Sequence, residues 1–393
     1  MNVNTKSLDG FRFLLALWVC VGHFYIVIGG SNFISIPIVS KILSTPVNAV
    51  DGFMIVTGFL MTYHYFLRQP KEPVNQFSTG VKFVTRRLFR LYPVYLIAIL
   101  VAFFLVSDMY IIRKEALEFF TGSSLTIWGT ESKLENSTII GLLTHLLFIH
   151  GLVPGEDSSI LSVAWSLSLE MQFYVLFPLI FVFLFRNINF TKTMLVTILS
   201  VIVSFITLRY YNLFFAMPAI LILKFPLFLL GMFMAAAGLG KLNWRKFVIL
   251  SLIVLASQSI LTILIACILI FFLFLDNLKN YVNIRLFNVL SAVRDLLSSN
   301  VAKFGADISY SLYLLHMITL PFILNFYMGL NLSKYQAAAF SFATFIVLNF
   351  LLSYVLHLII EKPFIRLGKV MVAKIESREL KRKSKKGSFD KVS

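Results

Sequence analysis

Long apolar segments, separated by polar or basic clusters, follow one another from residue 11 to residue 360 of this chain. Most are close to the roughly 20 residues that a helix needs to cross the hydrocarbon core of a bilayer. They cover 11–28, 47–67, 91–107, 139–153, 165–185, 193–211, 219–237, 247–275, 306–328 and 336–360. The pattern predicts an all-α, polytopic transmembrane helical bundle of about ten spans.

Two of these segments leave the number of spans open. Segment 139–153 is short and holds two histidines, and segment 247–275 is long enough to form two short helices. The first segment, 11–28, is followed by no small-residue cleavage site that would mark a removed signal peptide. We therefore expect it to stay in the protein and to keep its polar residues available for function.

The composition agrees with a membrane protein. Of 393 residues, 59% are hydrophobic and 13% are charged, which lies outside the usual range of soluble proteins. The apolar segments leave little of the chain for a soluble domain, and no sequence feature indicates nucleic-acid binding. We predict one transmembrane domain at 1–367 and a basic cytoplasmic tail at 368–393 that is disordered.

The net charge of +17 is unevenly distributed and predicts a topology. Basic residues crowd the connection 68–90, whereas the connection 108–135 carries more acids than bases. The positive-inside rule then places the first connection and both termini in the cytoplasm, which requires an even number of spans. The group Lys241, Arg245 and Lys246 falls outside the cell in this scheme and counts against it.

The first span carries an aspartate, an arginine and a histidine on one face. Arg12 and His23 are eleven positions apart, or about 1100° of helical rotation, so they lie within about 20° of each other. Asp9 shares this face, and the residues between are small. Ionisable groups inside a bilayer usually face a cavity. The alternative is that Asp9 and Arg12 are interfacial anchors and that His23 is a packing residue.

Other spans also carry polar groups at helical spacing. These are Asp51 with Gly58, Glu170 between Ser166 and Tyr174, the set Ser309, Tyr313 and His316, and the ladder Ser353, His357 and Glu361. Together they predict a shared polar interior. Each has a structural alternative: a helix N-cap for Asp51, ion pairing alone for Glu170, and interhelical hydrogen bonding for His316 and His357.

Two features point away from a metal or a disulfide. Cys20 and Cys267 lie inside apolar segments, where cysteine behaves as a small hydrophobic residue. The chain shows no zinc-ligand spacing and no glycine-rich phosphate loop. We expect no metal cofactor.

Six motifs in order resemble the acyltransferase 3 membrane family. They are "LDGFRFLLALWVCVGHF", "DGFMIVTGFLM", "RRLFRLYPVY", "WSLSLEMQFY", "ISYSLYLLH" and "IIEKPF". The first contains an arginine, ten residues and a histidine, and the third an Arg-x-x-Arg element at Arg87 and Arg90. The resemblance extends from residue 8 to about residue 367 and is closest to the stand-alone form, without an appended esterase-like domain.

The resemblance implies a membrane enzyme that moves an acyl group, commonly acetyl, from cytoplasmic acyl-coenzyme A to a hydroxyl of an extracytoplasmic carbohydrate. It implies the bacterial cytoplasmic membrane as the location. The anionic donor would bind at Arg86, Arg87 and Arg90, because guanidinium groups match phosphate geometry. Alternatively, these arginines only set topology and bind anionic lipid.

In this interpretation His23 is catalytic, either as a general base or as an acylated nucleophile. Asp51 or Glu170 would orient its imidazole or stabilise its cationic form. Arg12 would contact donor phosphate or the developing oxyanion. The acceptor, the acyl length and the oligomeric state stay open.

Two other classes of protein would also place such residues in a bundle. A proton-coupled transporter uses the same side chains but typically shows internal repeats, and we find none by inspection. A scaffold or flippase-like partner explains the hydrophobicity but not the Arg12 and His23 pair. We therefore favour the enzyme.

Overall fold

The structure, a computed structural model, describes residues 3–74, 76–122 and 137–389, with side chains up to residue 379. Regular secondary structure in this part of the chain is entirely helical. The helices are α1 (Ser7–Val27), α2 (Pro37–Leu43), α3 (Val47–Arg68), α4 (Phe77–Thr121), α5 (Ile139–Leu146), α6 (Trp165–Phe185), α7 (Phe190–Tyr211), α8 (Leu221–Gly238), α9 (Trp244–Leu255), α10 (Ile260–Leu273), α11 (Ile284–Leu297), α12 (Asn300–Met328), α13 (Lys334–Leu356) and α14 (Lys362–Phe389). This confirms the helical polytopic bundle.

Seven helices in the described residues are long and apolar enough to cross a membrane. These are α1, α4, α6, α7, α8, α12 and α13 with its continuation. An eighth candidate forms if α2 and α3, which are bent by 58° relative to each other, are taken together as one span. The count of about ten therefore stays a prediction.

Segment 139–153 is not a single transmembrane helix. It contains only the eight-residue α5 and the short 3-10 turn His150–Leu152. The helix ends before Phe148, which has a positive φ of 58°. The segment is thus an irregular connection leading into α6.

Segment 247–275 is two short helices, one of the two possibilities that its length allowed. Helix α9 ends at Leu255, and the polar run Ala256–Ser259 separates it from α10. Ser259 is the N-cap of α10, where its side chain accepts a hydrogen bond from the backbone N–H of Thr262 at 3.2 Å. This cap satisfies a donor that the start of a helix leaves unpaired, which explains why the break lies here.

Helix α4 is much longer than the predicted span 91–107. Its 45 residues begin at Phe77 and continue to Thr121, where Gly122 ends the helix in the left-handed conformation with φ 75°. The extension places Arg87 and Arg90 on the same rigid helix as the apolar span. Of the connection 108–135, residues 123–135 lie outside the described part of the chain.

The basic tail continues the last helix as far as residue 389, and the disorder predicted for it stays a prediction. A π-helical turn, His357–Glu361, joins α13 to α14, and α14 continues to Phe389. Lys82 on α4, which is 4% exposed, holds α14 through an ion pair with Glu379 at 3.2 Å. The domain boundary at 367 stays a prediction, because the helix runs through it.

Two close helix contacts organise the bundle. Helix α12 packs against α1, α4 and α13, and α3 packs against α8 along most of its length. In the second contact, a Cβ on Gly58 would lie 2.2 Å from Phe228 O, and one on Gly231 would lie 2.0 Å from Ile55 O. Only glycine permits such an approach of two backbones.

The contacts also group the basic segments at one end of the bundle. A Cβ on Gly238, the last residue of α8, would lie 2.6 Å from Val3 Cγ2. The group Lys241, Arg245 and Lys246 that follows α8 therefore lies at the end that holds the N-terminus. If segment 139–153 is left out of the predicted spans, this group lies on the same side of the membrane as the N-terminus; the cytoplasmic location of both termini stays a prediction.

Candidate active site

A partly open cavity lies between α1, α3, α4, α6 and α12. The apolar lining is Val50, Phe53, Met54, Val56, Leu60, Met61, Leu91 and Leu167. The polar lining is Arg12, Thr57, Arg87, Arg90, Ser166, Glu170, Tyr174, Ser309, Tyr310 and Tyr313.

Three arginines line this cavity. Arg12 comes from the first turns of α1, and Arg87 and Arg90 come from one face of α4, since residues three apart lie on the same side of a helix. The guanidinium of Arg87 lies 5.6 Å from the ring centroid of Phe83 and 5.9 Å from that of Tyr174. These rings hold Arg87 in place through cation–π contacts. Among the described lining residues three cations face one carboxylate, so the cavity suits an anionic ligand.

Arg86 does not join this cluster. Its Nη1 donates to Glu72 Oε1 at 2.9 Å and its Nη2 to Glu72 Oε2 at 2.5 Å. This bidentate ion pair links Arg86 on α4 to Glu72 in the connection between α3 and α4. It occupies the two guanidinium N–H groups that a phosphate would need. Arg87 and Arg90 line the cavity, whereas Arg86 is not among its lining residues, and the assignment of all three to the donor stays a prediction.

Glu170 on α6 lies in the wall of the cavity. Its Oε1 accepts hydrogen bonds from the hydroxyls of Thr57, at 3.2 Å, and of Tyr174. One turn earlier, Ser166 shares a hydrogen bond of 2.7 Å with the hydroxyl of Tyr313. The prediction that Ser166, Glu170 and Tyr174 face a common polar interior is confirmed.

Asp51 lies in a different polar cluster. Its Oδ1 accepts from Lys224 Nζ at 2.6 Å, and its Oδ2 accepts from the Thr262 hydroxyl at 2.9 Å. Both carboxylate oxygens are thus used to join α3 to α8 and α10. The carboxylate of Asp51 is bonded to Lys224 and Thr262, and the role predicted for it, orienting the His23 imidazole, stays a prediction. Lys224 was not among the residues that the sequence pattern selected.

His23 pairs with a second histidine on α12. The Nδ1 of His23 lies 3.0 Å from Nε2 of His316, and the ring centroids are 5.0 Å apart. The ring of His316 lies 5.9 Å from that of Tyr313, whose side chain lines the cavity. The predicted helix face that carries Ser309, Tyr313 and His316 therefore connects the cavity to His23. His23 itself is not among the lining residues of the cavity.

One arginine was missed by the sequence analysis. Arg113 on α4 is within electrostatic range of His316, and its Nε has no hydrogen-bond partner among the described residues. The sequence carries a signal for it, since an arginine directly follows the apolar stretch of α4. The charge pattern predicts an external connection there, which gives no indication that Arg113 lies near His316.

The other histidines have structural surroundings. His357 Nδ1 lies 2.9 Å from Glu361 Oε2 in the π-helical turn. The rings of His145 and His150 stack with centroids 4.0 Å apart. Burial lowers the pKa of His150 to about 4, and its Nε2 donates to Ala164 O at 3.0 Å. His145 and His150 are therefore neutral packing groups at pH 7.

The comparison with known proteins gives the class of this helical membrane protein, a membrane acyltransferase. The profile of the acyltransferase domain named acyltransferase 3 matches residues 5–358, nearly the whole chain. The protein belongs to this family, as the six motifs predicted. The family does not favour the alternative of a transporter.

Two curated proteins are similar over part of the chain. An uncharacterized protein of Haemophilus influenzae is 27% identical over 200 residues, which cover 47% of this chain and 73% of that protein. The nose resistant to fluoxetine protein 6 of Caenorhabditis elegans is 25% identical over 197 residues, or 44% of this chain and 22% of that protein. No solved structure matches the chain.

Proposed function

We propose that this protein transfers an acyl group, most simply acetyl, from cytoplasmic acyl-coenzyme A to a hydroxyl of a carbohydrate on the other side of a bacterial cytoplasmic membrane. The observation that carries the proposal is the order of groups along the bundle. Arg12, Arg87 and Arg90 line the cavity, and Tyr313, which lines the same cavity, has its ring 5.9 Å from the ring of His316. Acyl-coenzyme A has an anionic phosphate-bearing end and a long chain that carries the thioester. It fits an arrangement in which arginines line the cavity and the histidine pair lies beyond Tyr313.

The donor phosphates bind at the arginine cluster. Arg87 and Arg90 lie on a connection that the positive-inside rule places in the cytoplasm, where acyl-coenzyme A is made. Arg12 belongs with them, because it lines the same cavity and lies about 16 Å along α1 from His23. We therefore assign Arg12 to donor phosphate rather than to the oxyanion.

The chemistry takes place at His23. Its imidazole accepts the proton of the acceptor hydroxyl as that oxygen attacks the thioester carbonyl. The carbon–sulfur bond breaks, and the leaving thiolate takes the proton from the imidazolium. In the two-step alternative, His23 itself attacks the thioester, and the acceptor hydroxyl then displaces it from the acyl group. Both routes give an O-acyl ester and free coenzyme A.

The donor assignment is tested with three single alanine variants. Arg87→Ala and Arg90→Ala each remove a charged donor, which typically contributes about 1.5–3 kcal/mol, or roughly a tenfold to hundredfold change in affinity. Arg86→Ala is the matched control, since Arg86 pairs with Glu72 outside the cavity. Titration of acetyl-coenzyme A into purified protein in detergent measures the Kd of each variant.

We expect the Kd to rise at least tenfold for Arg87→Ala and Arg90→Ala and to stay near the wild-type value for Arg86→Ala. Lysine at positions 87 and 90 should restore affinity only partly, because it lacks the planar fork. Wild-type affinity in both cavity variants, or equal losses in all three, would show that these arginines serve topology and lipid contact instead.

A further inference from the structure

His316 has two hydrogen-bond contacts that together determine where its proton lies. Its side chain is fully buried, with 0% exposed. Its Nδ1 lies 3.3 Å from the backbone oxygen of Leu312, and its Nε2 lies 3.0 Å from Nδ1 of His23. A carbonyl oxygen only accepts hydrogen bonds, so Nδ1 of His316 carries the hydrogen. In the neutral ring, Nε2 is then left with a lone pair.

This assignment carries over to His23. The lone pair on His316 Nε2 can only accept, so the hydrogen between the two rings belongs to Nδ1 of His23. His23 is then the tautomer with its proton on Nδ1 and its basic lone pair on Nε2. The backbone of α12 thus determines, through one buried ring, which nitrogen of His23 is basic.

We infer that His316 is a positioning residue that holds His23 in the tautomer with a basic Nε2, an inference that rests on the proposed function. When Nε2 takes the proton of the acceptor hydroxyl, His23 becomes cationic and its Nδ1–H bond to His316 becomes charge-assisted and stronger. In the two-step route the same lone pair on Nε2 attacks the thioester. Either route loses rate if His23 turns or changes tautomer.

The test compares two substitutions of similar size. His316→Gln keeps an oxygen that can accept from His23 Nδ1–H, whereas His316→Leu keeps the bulk and removes the acceptor. Thr319→Val is the control on the same helix, because it removes a different buried contact, the 2.9 Å hydrogen bond to Asn349. Membrane vesicles with equal amounts of each variant are supplied with labelled acetyl-coenzyme A, and kcat and KM for transfer to surface carbohydrate are measured.

We expect His316→Leu to lower kcat about 10- to 100-fold, a loss similar to that seen when the hydrogen-bond partner of a metal-ligating histidine is removed. KM for acetyl-coenzyme A should stay unchanged, because the arginine cluster is intact. His316→Gln should recover much of the lost kcat, and Thr319→Val should keep the wild-type value. Equal kcat for the leucine and glutamine variants, or wild-type kcat for the leucine variant, would overturn the inference.

A second measurement does not depend on the transfer reaction. Diethyl pyrocarbonate acylates the unprotonated nitrogen of a neutral imidazole, and peptide mass mapping reports its reaction rate at His23. The rate should fall severalfold in His316→Leu and recover in His316→Gln. If His23 reacts equally fast in both variants, His316 does not set its tautomer. Absence of acetyl transfer by folded wild-type protein would instead refute the proposed function and leave this readout valid.

Discussion

At the scale of single residues, the charged side chains inside the bundle lie in two different surroundings, an open cavity and a buried ion pair. Arg12, Arg87 and Arg90 line an open cavity, whereas Asp51 and Lys224 face each other at 2.6 Å and are only 6% and 17% exposed in their side chains. A buried ion pair is costly to break, because the remaining charge then lacks compensation. The Asp51–Lys224 pair is therefore expected to stabilise the contact of α3 with α8 rather than to take part in the chemistry.

This interpretation predicts that Asp51→Asn destabilises the protein by about 3–5 kcal/mol, because Lys224 keeps its charge without a partner. The double variant with Asp51→Asn and Lys224→Met should regain much of that loss, since no buried charge remains. The melting temperature of purified protein in detergent measures both effects. If the single and the double variants melt at the same temperature, the pair contributes no such stabilisation.

The sequence pattern predicts His23, Arg12 and Glu170 as candidate site residues, but it does not show which residues contact such side chains from other helices. Periodicity shows which residues share a face of one helix, whereas the partner of Asp51 lies 173 positions away on another helix. Arg86 and Arg87 illustrate the same limit. Both are within one turn of Arg90, and only the position of Glu72 shows which of the two points away from the cavity.

At the scale of helices, two glycines allow α3 and α8 to pack with their backbones in contact. Gly231→Val should destabilise the bundle by about 1–3 kcal/mol or more, because its Cβ would overlap Ile55 O and force the helices apart. Gly80→Ala on α4 is the matched control, since its Cβ would lie 3.5 Å from Pro178, an ordinary contact.

We expect the control to be neutral or slightly stabilising, because alanine favours a helix over glycine. Melting temperatures in detergent again give the comparison. Similar melting temperatures for Gly231→Val and the wild type would show that α3 and α8 separate without cost and that the close contact is not required.

Long helices were predicted well because the bilayer requires a minimum apolar length, which the sequence displays directly. The irregular parts were predicted less well. Segment 139–153 is apolar enough to suggest a span, yet Phe148 turns the chain after eight helical residues. The disorder predicted for the tail from its many charges stays a prediction; within the described side chains, the Lys82–Glu379 ion pair joins α14 to α4.

At the scale of the whole molecule, the account requires both termini on the cytoplasmic side. A background without cysteine is needed first, because Cys267 is exposed. In that background, Lys386→Cys should react with an impermeant thiol reagent only after the membrane is permeabilised. Ser31→Cys, in the exposed turn after α1, should react in intact cells. The reverse pattern of labelling would invert the topology and place the arginine cluster away from cytoplasmic acyl-coenzyme A.

The central claim is that His23 carries out the acyl transfer, and His23→Asn tests it most directly. Asparagine keeps one hydrogen-bonding group but cannot exchange a proton near pH 7. Mass spectrometry of surface carbohydrates measures acylation in cells that hold equal amounts of wild-type or variant protein in the membrane. Loss of a general base should reduce the rate by about 10²- to 10⁴-fold, and loss of an acylated nucleophile by more. Normal acylation by His23→Asn would contradict the account and leave His23 as a packing residue.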